Sequence, residues 1–243
     1  MTRLRYPLLL FDAGETLLAP RESFGAVYAR VLATLGVELA ASDLEHGLRR
    51  SWEAANGAIE PGVDRYATDP GGENAYWLRF VEGTLARTPG APRDSKLAAR
   101  AVSPLREAFR DPASWKVFDD VVPTLAALRR AGARIAVVSN WDSSLPALLD
   151  RLRLASWFET IVVSHLEGME KPRPELFLRA VARLRGAPGE ALHIGDNPEL
   201  DEAGARAAGI ASVLVDRRAR LGAGRAALPD LSTLPAIARD GGI

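Results

Sequence analysis

The chain has 243 residues, which at roughly 100–200 residues per domain suits one large domain or a domain with a smaller appendage. Hydrophobic residues make up 47% and charged residues 26%, the balance of a globular protein, so collagen-like, mucin-like and disordered classes are excluded. Lys plus Arg number 31, as do Asp plus Glu, and a net charge of zero argues against nucleic acid or a membrane surface as partner.

Cysteine is absent, which excludes disulfides, thiolate catalysis, zinc–thiolate sites and iron–sulfur clusters. The apolar run Pro7–Phe11 is too short to span a bilayer, and no later run approaches the roughly 18 apolar residues of a transmembrane helix. We therefore expect a cytoplasmic protein.

The first predicted element is a strand over Leu8–Asp12, an apolar run that ends in a carboxylate. Between Pro20 and Pro112 no buried-strand pattern occurs, and apolar spacing of three to four residues predicts helices instead. These predicted helices are Ser23–Leu35, Ser42–Glu53, Asn74–Thr84 and Ser95–Phe109. We interpret residues 20–112 as a helical insertion.

Helices and strands alternate from Val122 onward. The predicted helices are Val122–Ala131, Ser144–Leu154, Pro174–Arg185 and Pro198–Ala208, with Gly132, Gly186 and Gly209 at their expected C-terminal caps and a weak last helix near Leu231–Ile237. The predicted strands are Arg134–Asn140, Ile161–Ser164, Ala191–Asp196 and Ser212–Asp216. Their near-continuous apolar content is typical of strands buried on both faces of a parallel sheet. The pattern predicts an α/β fold, a three-layer Rossmann-like parallel sheet with an inserted helical domain.

Polar residues follow the predicted strands at the edge where such a sheet binds ligands. They are Asp12, Ser139 with Asn140, Lys171, and Asp196 with Asp201. Carboxylates suit a hard cation such as Mg²⁺, and an ammonium, a hydroxyl and an amide suit the oxygens of a phosphoryl group. An Asp carboxylate can also act as a nucleophile.

Each of these residues also has a purely structural explanation. An Asp after a strand is more often a turn residue, a Lys before Pro is usually a solvated charge, and Asp201 could favour a helix N-terminus. His193 lies within a predicted buried strand, which favours a core histidine over a base. The recurrence of polar residues at the same end of successive strands favours a functional site.

The chain resembles the haloacid dehalogenase (HAD) superfamily in four motifs. The first is the strand that leads into Asp12-Ala13-Gly14-Glu15-Thr16, and the second is Ile135–Asn140. The third begins Glu170-Lys171-Pro172, and the fourth is His193–Asp201 with Gly195-Asp196 at its centre. The resemblance implies a core at residues 1–19 and 113–243 and a helical C1 cap at 20–112 that closes over the crevice.

The resemblance also implies roles for individual residues. Asp12 would be the nucleophile and a Mg²⁺ ligand, with the Gly14 carbonyl and Asp196 as further ligands. Asp201 would hold a metal-bound water or orient the site. Ser139 and Lys171 would act in catalysis by binding the phosphoryl group, and Asn140 would shape the loop or bind substrate.

Position 14 departs from the phosphatases of this family, which carry there a second Asp that protonates the leaving group. Gly14 cannot do so, and loss of general acid–base catalysis typically costs ~10²–10⁴ in rate. Glu15 and Asp142 are carboxylates that could substitute, although Glu15 could equally cap its turn and Asp142 the following helix.

The sequence thus predicts a Mg²⁺-dependent phosphoric monoester hydrolase that acts on a small phosphorylated metabolite through an aspartyl-phosphate. Two alternatives stay open. The chain could be another kind of HAD member, a 2-haloacid dehalogenase or a phosphonate hydrolase, or a weakly catalytic protein that binds a ligand or partner.

Overall fold

The computed structural model describes residues 4–222 and 224–242, which form two compact units. One unit comprises the described chain up to Ala19 and from Val117 onward. The other is Pro20–Lys116, which includes a short 3₁₀ turn at Pro112–Ser114 beyond the end of the predicted insertion. Within the described residues, no helix is both long and apolar enough to cross a membrane.

Seven strands form two sheets in the described chain. They are β1 (Leu8–Phe11), β2 (Leu18–Pro20), β3 (Trp115–Val117), β4 (Arg134–Ser139), β5 (Thr160–Val163), β6 (Ala191–Gly195) and β7 (Ala211–Leu214). All five predicted strands are present, and each ends one or two residues earlier than predicted. Strands β2 and β3 have no counterpart among the predicted strands, because three residues carry too little apolar pattern to be recognised.

Five of these strands form a parallel sheet in the order β5-β4-β1-β6-β7. In the central strand, Leu8 and Leu10 pack into a core cluster with Ala136 and Val138. Leu9 on the opposite face is also completely buried. Both faces of the sheet are therefore covered, as the continuous apolar runs predicted, and the predicted α/β Rossmann-like fold is confirmed.

The second unit is a cluster of four helices, α1 (Phe24–Thr34), α2 (Ala41–Gly57), α3 (Gly72–Arg87) and α4 (Ser95–Arg110). Each overlaps one of the helices predicted between Pro20 and Pro112. Ser23 caps α1 by accepting a hydrogen bond from the N–H of Ala26 at 3.1 Å. The unit has its own core, centred on Leu32, Leu44 and Leu97.

In the described part of the first unit, six α-helices accompany the parallel sheet. They are α5 (Val121–Arg130), α6 (Leu145–Arg151), α7 (Ser164–Glu167), α8 (Pro174–Arg183), α9 (Ala203–Ala207) and α10 (Leu234–Asp240). Helix α8 buries Leu176, Phe177 and Val181 against the central strands. This packing fixes where the loop that precedes α8, with Lys171, meets the strand ends.

The predicted cap at Gly186 is wrong. The left-handed residue after α8 is Arg185, with φ of 49°. Gly186 serves packing instead, because a Cβ atom there would overlap the side chain of Leu8 on β1. Gly132 and Gly209 do adopt the left-handed conformation expected after a helix.

Candidate active site

The centre of the site is a buried ion-pair network on Lys171. Its ammonium donates hydrogen bonds to Asp12 Oδ1 at 2.7 Å and to Asp201 Oδ1 at 2.6 Å. Only 2% of the Lys171 side chain is exposed. Asp12 directly follows β1, and its backbone N–H donates to the Ile194 carbonyl of β6 at 2.8 Å. A lysine drawn from a distant loop thus neutralises the carboxylate at the end of the central strand.

Asn140 fixes the loop that carries Lys171. Its side-chain oxygen accepts from the Lys171 N–H at 2.7 Å, and its side-chain NH₂ donates to the Lys171 carbonyl at 3.0 Å. Both ends of the Asn140 amide are therefore used by the backbone of one residue, Lys171. Of the two roles expected for Asn140, these contacts support shaping the loop rather than binding substrate.

The Asp201 carboxylate accepts hydrogen bonds from three donors. Its Oδ1 accepts from both Lys171 and His193, the latter at 2.8 Å, and its Oδ2 accepts from the N–H of Asn197 at 3.0 Å. Asp201 lies in a π-helical turn, Pro198–Glu202, a feature frequent at functional sites. A side chain at Gly195 would collide with the Asp201 carboxyl group. Gly195 therefore leaves the space in which Asp201 approaches β6.

His193 was interpreted from the sequence as a core histidine, and it is indeed completely buried in β6. It is also a partner of the site, because its Nε2 contacts Asp201 Oδ1. A carboxylate can only accept, so the proton of this bond lies on Nε2. Its Nδ1 has no hydrogen-bond partner among the described residues, and the ring packs edge-on against Phe177.

Burial and crowding shift the ionisation of the acidic residues in opposite directions. Burial raises the pKa of Asp12, with repulsion from Asp201, against the opposing effects of Lys171 and a hydrogen bond from Ser139. Burial likewise tends to raise the pKa of Asp201, but Lys171 and His193 hold that pKa well below its usual range. Despite burial, Asp12 and Asp201 keep the pKa of Lys171 above its ordinary value. The network is therefore built around a charged lysine and a charged Asp201.

Asp196 completes a group of three carboxylates. One oxygen from each of Asp12, Asp196 and Asp201 lies within 4.8 Å of the others. Burial and repulsion from Asp12 and Asp201 raise the pKa of Asp196 to about 7. Three carboxylates face one ammonium, and this excess of negative charge fits a divalent cation with oxygen ligands.

The three carboxylates differ in how many lone-pair positions remain for a cation. A carboxylate offers about four lone-pair positions, and Asp201 already uses three on protein donors. Asp12 and Asp196 are the better candidates for direct coordination. Of the two roles expected for Asp201, orienting the site is the one that its contacts support.

Position 14 offers no acid. The Cβ atom missing from Gly14 would lie 3.6 Å from Cζ3 of Trp141, so the indole ring covers this position. Of the two possible substitutes, Asp142 accepts hydrogen bonds from the N–H and the hydroxyl of Ser144 at the start of α6. Glu15 forms an ion pair with Arg218 at 2.9 Å. Asp142 therefore closes a turn onto Ser144, the N-cap residue of α6, and does not cap the helix itself as the alternative explanation expected.

The family profile of haloacid dehalogenase-like hydrolases matches residues 6–209. The chain belongs to this family. HAD-like hydrolase domain-containing protein 3 from Homo sapiens is 32% identical over 88% of this chain and 83% of its own length. A phosphoserine phosphatase from Thermus thermophilus is 33% identical over 88% of this chain and 90% of its own length.

Solved structures agree on the fold of this HAD-like hydrolase. A HAD-hydrolase from Bacillus subtilis, solved bound to magnesium, has a TM-score of 0.74 at 19% identity and covers 96% of this chain and 98% of its own. A HAD phosphatase from Thermococcus onnurineus has a TM-score of 0.66 at 23% identity, covering 95% and 96% respectively. At these identities the likeness establishes the fold alone.

Proposed function

We propose that this HAD-like hydrolase is a Mg²⁺-dependent phosphatase that acts on a small phosphorylated metabolite through an aspartyl-phosphate. The observation that carries the proposal is the position of the Lys171 ammonium, 2.7 Å from Asp12, beside a cluster of three carboxylates. A nucleophilic carboxylate needs a neighbouring cation when a phosphoryl group approaches, and Lys171 supplies that charge.

Asp12 is the proposed nucleophile. One of its oxygens attacks phosphorus, the bond from phosphorus to the ester oxygen breaks, and an acyl phosphate forms on Asp12. Water then attacks phosphorus, which releases phosphate and restores the carboxylate. Lys171 balances the charge of Asp12 in the resting site and of the phosphoryl oxygens afterwards. In this proposal, Ser139, which hydrogen-bonds Asp12, binds one of those oxygens.

A divalent cation would be held by Asp12 and Asp196, with the Gly14 carbonyl and Asp201 as the further predicted ligands. When bound, it supplies positive charge to the phosphoryl oxygens. Three carboxylates against one lysine provide the negative site that such a cation needs. This cluster also favours phosphoryl transfer over the dehalogenase alternative, because halide departure from carbon does not require a metal site.

The helical unit Pro20–Lys116 is the proposed cap of this family member. Two observations support this proposal. The unit has a separate apolar core, and in the sequence it is inserted between β2 and β3, shortly after Asp12. In this proposal, the unit selects the organic part of the substrate, while the residues around Lys171 act on the phosphate.

The test is hydrolysis of p-nitrophenyl phosphate with Mg²⁺ and with EDTA, for the wild type, Asp12→Asn and Asp150→Asn. Asp150 is an exposed aspartate on α6 and serves as the matched control. We expect turnover that needs Mg²⁺, that is lost in Asp12→Asn and that is unchanged in Asp150→Asn. Halide release from 2-chloropropionate without phosphate release would overturn the proposal in favour of a dehalogenase.

A further inference from the structure

A pocket lies within the helical unit, between α2 and α3. Its volume is about 430 Å³, within the usual size of small-molecule sites. Its lining includes the apolar side chains of Ala55, Ile59 and Phe80 and the polar side chains of Ser51 and Arg87. The pocket is formed entirely by this unit and shares no residue with the Lys171 network.

Ser51 is the unusual member of the lining. It is only 4% exposed, and its hydroxyl oxygen has no hydrogen-bond partner among the described residues. A buried hydroxyl without a partner is unfavourable, because it has lost its hydrogen bonds to water. A ligand with a polar head in the pocket would supply the missing partner.

Gly83 on α3 makes the room for that head. A Cβ atom at this position would lie 3.6 Å from the Ser51 hydroxyl and 3.1 Å from an Arg87 guanidinium nitrogen. The absence of a side chain thus leaves the hydroxyl and the guanidinium group facing the same space. A glycine within a helix is otherwise unfavourable, which makes its presence informative.

The charge of the lining is positive. Among the described residues that line it, Arg79 and Arg87 are charged and none is acidic. Arg79 is paired with Asp69 at 2.6 Å. Arg87 donates to the Gly83 carbonyl at 3.0 Å and has no carboxylate partner in the described chain. A guanidinium group with remaining donors is well suited to a carboxylate or a phosphoryl-type head.

We propose that this pocket binds a small amphipathic anion, with its head at Ser51 and Arg87 and its hydrocarbon body against Ile59 and Phe80. The proposal is independent of the phosphatase activity. Carboxylates and phosphoryl compounds share the required head chemistry, and the test below separates them.

The test is isothermal titration calorimetry on the full chain in EDTA. The probes are phenylacetate, phenylphosphonate and the neutral 2-phenylethanol. We expect saturable binding of at least one anion, at least tenfold tighter than that of the neutral probe. Whichever anion binds identifies the head. No saturable binding of either anion, or equal binding of the neutral probe, would overturn the proposal.

Two variants and two matched controls locate the binding. Gly83→Ala adds a Cβ atom 3.1 Å from an Arg87 guanidinium nitrogen and fills the space beside Ser51, and Arg87→Gln removes the charge; each should weaken binding at least tenfold. Gly57→Ala, at a helix glycine with open space, and Arg100→Gln, at an exposed arginine that also donates to a backbone carbonyl, should leave affinity unchanged. Binding that survives Gly83→Ala unchanged lies elsewhere, and this result would refute the proposal.

Discussion

Asn140 hydrogen-bonds both backbone polar groups of Lys171, accepting from its N–H at 2.7 Å and donating to its carbonyl at 3.0 Å. The two residues come from loops that follow different strands, and this pair of hydrogen bonds sets where the lysine side chain begins. The position of the ammonium between Asp12 and Asp201 therefore depends on a residue that does not touch either carboxylate.

Asn140→Ala should impair both stability and activity. Two part-buried backbone groups lose their partners, and each such loss costs about 1–3 kcal/mol. We expect the free energy of unfolding in urea to fall by at least about 1 kcal/mol, and turnover of p-nitrophenyl phosphate to fall at least about tenfold, because displacement of a catalytic group slows reaction. Asn56→Ala, at a weakly bonded amide in the helical unit, is the control. Equal effects of both variants would contradict this role of Asn140.

Lys171→Met tests the ionic centre itself. Without the ammonium, Asp12 and Asp201 are buried near each other with no cation between them, and breaking such a buried pair costs about 3–5 kcal/mol. We expect that loss in the free energy of unfolding at pH 7, together with loss of hydrolysis. Lys116→Met, at an exposed lysine, should change stability by less than about 0.5 kcal/mol. If Lys171→Met lowers the free energy of unfolding no more than Lys116→Met does, Asp12 and Asp201 do not depend on this lysine.

The sequence predicted the parts of the site that precede or follow strands, because burial leaves a clear apolar pattern that ends at a polar residue. Asp12, Ser139 and Asp196 were found in this way. The same reasoning included Lys171 and Asp201, which lie farther from the strand ends, in the loop before α8 and in the π-helical turn after β6. Only the motif resemblance gave them individual roles. Their distances depend on how α8 and the π-helical turn pack, which no local pattern encodes.

The partnership of His193 with Asp201 was not predicted, although both residues were named. The apolar pattern of a strand predicts that the His193 side chain is buried, but it does not predict which polar atom that side chain contacts. The same limit applies to Gly186 and Gly195. A side chain at Gly186 would overlap Leu8, and one at Gly195 would overlap Asp201. In a sequence, however, a glycine first suggests a helix cap or a turn.

His193 is expected to act by positioning Asp201. His193→Leu removes the donor to Asp201 while keeping an apolar side chain against Phe177. We expect kcat for p-nitrophenyl phosphate to fall at least about tenfold with KM nearly unchanged, because the residue does not reach the substrate. His193→Gln, which restores an N–H donor, should recover part of kcat. If the Gln variant is as slow as the Leu variant, the imidazole matters for packing only.

The raised pKa of Asp196 predicts a pH-dependent stability in the metal-free protein. Because this pKa is about 7 in the fold and near 3.8 for an ordinary Asp, the folded state holds the proton more tightly between these values. The stabilisation that protonated Asp196 contributes is complete below the ordinary Asp pKa of 3.8 and is lost as the pH rises toward 7. In EDTA, Asp196→Asn should therefore raise Tm by a few degrees at pH 8 and by much less at pH 5. An equal change at both values would show that the Asp196 carboxyl group is not perturbed.

Gly14 predicts a strong dependence on the leaving group. With no acid at position 14, and with Asp142 bonded to Ser144, the departing oxygen leaves without a proton from either residue. Loss of general acid catalysis costs about 10²–10⁴ in rate when the leaving group is poor. We expect kcat/KM for acetyl and p-nitrophenyl phosphate to exceed that for glycerol phosphate by at least about 10². Equal rates would require another acid, and reduced glycerol phosphate turnover in Glu15→Gln, but not in Asp142→Asn, would identify Glu15 as that acid.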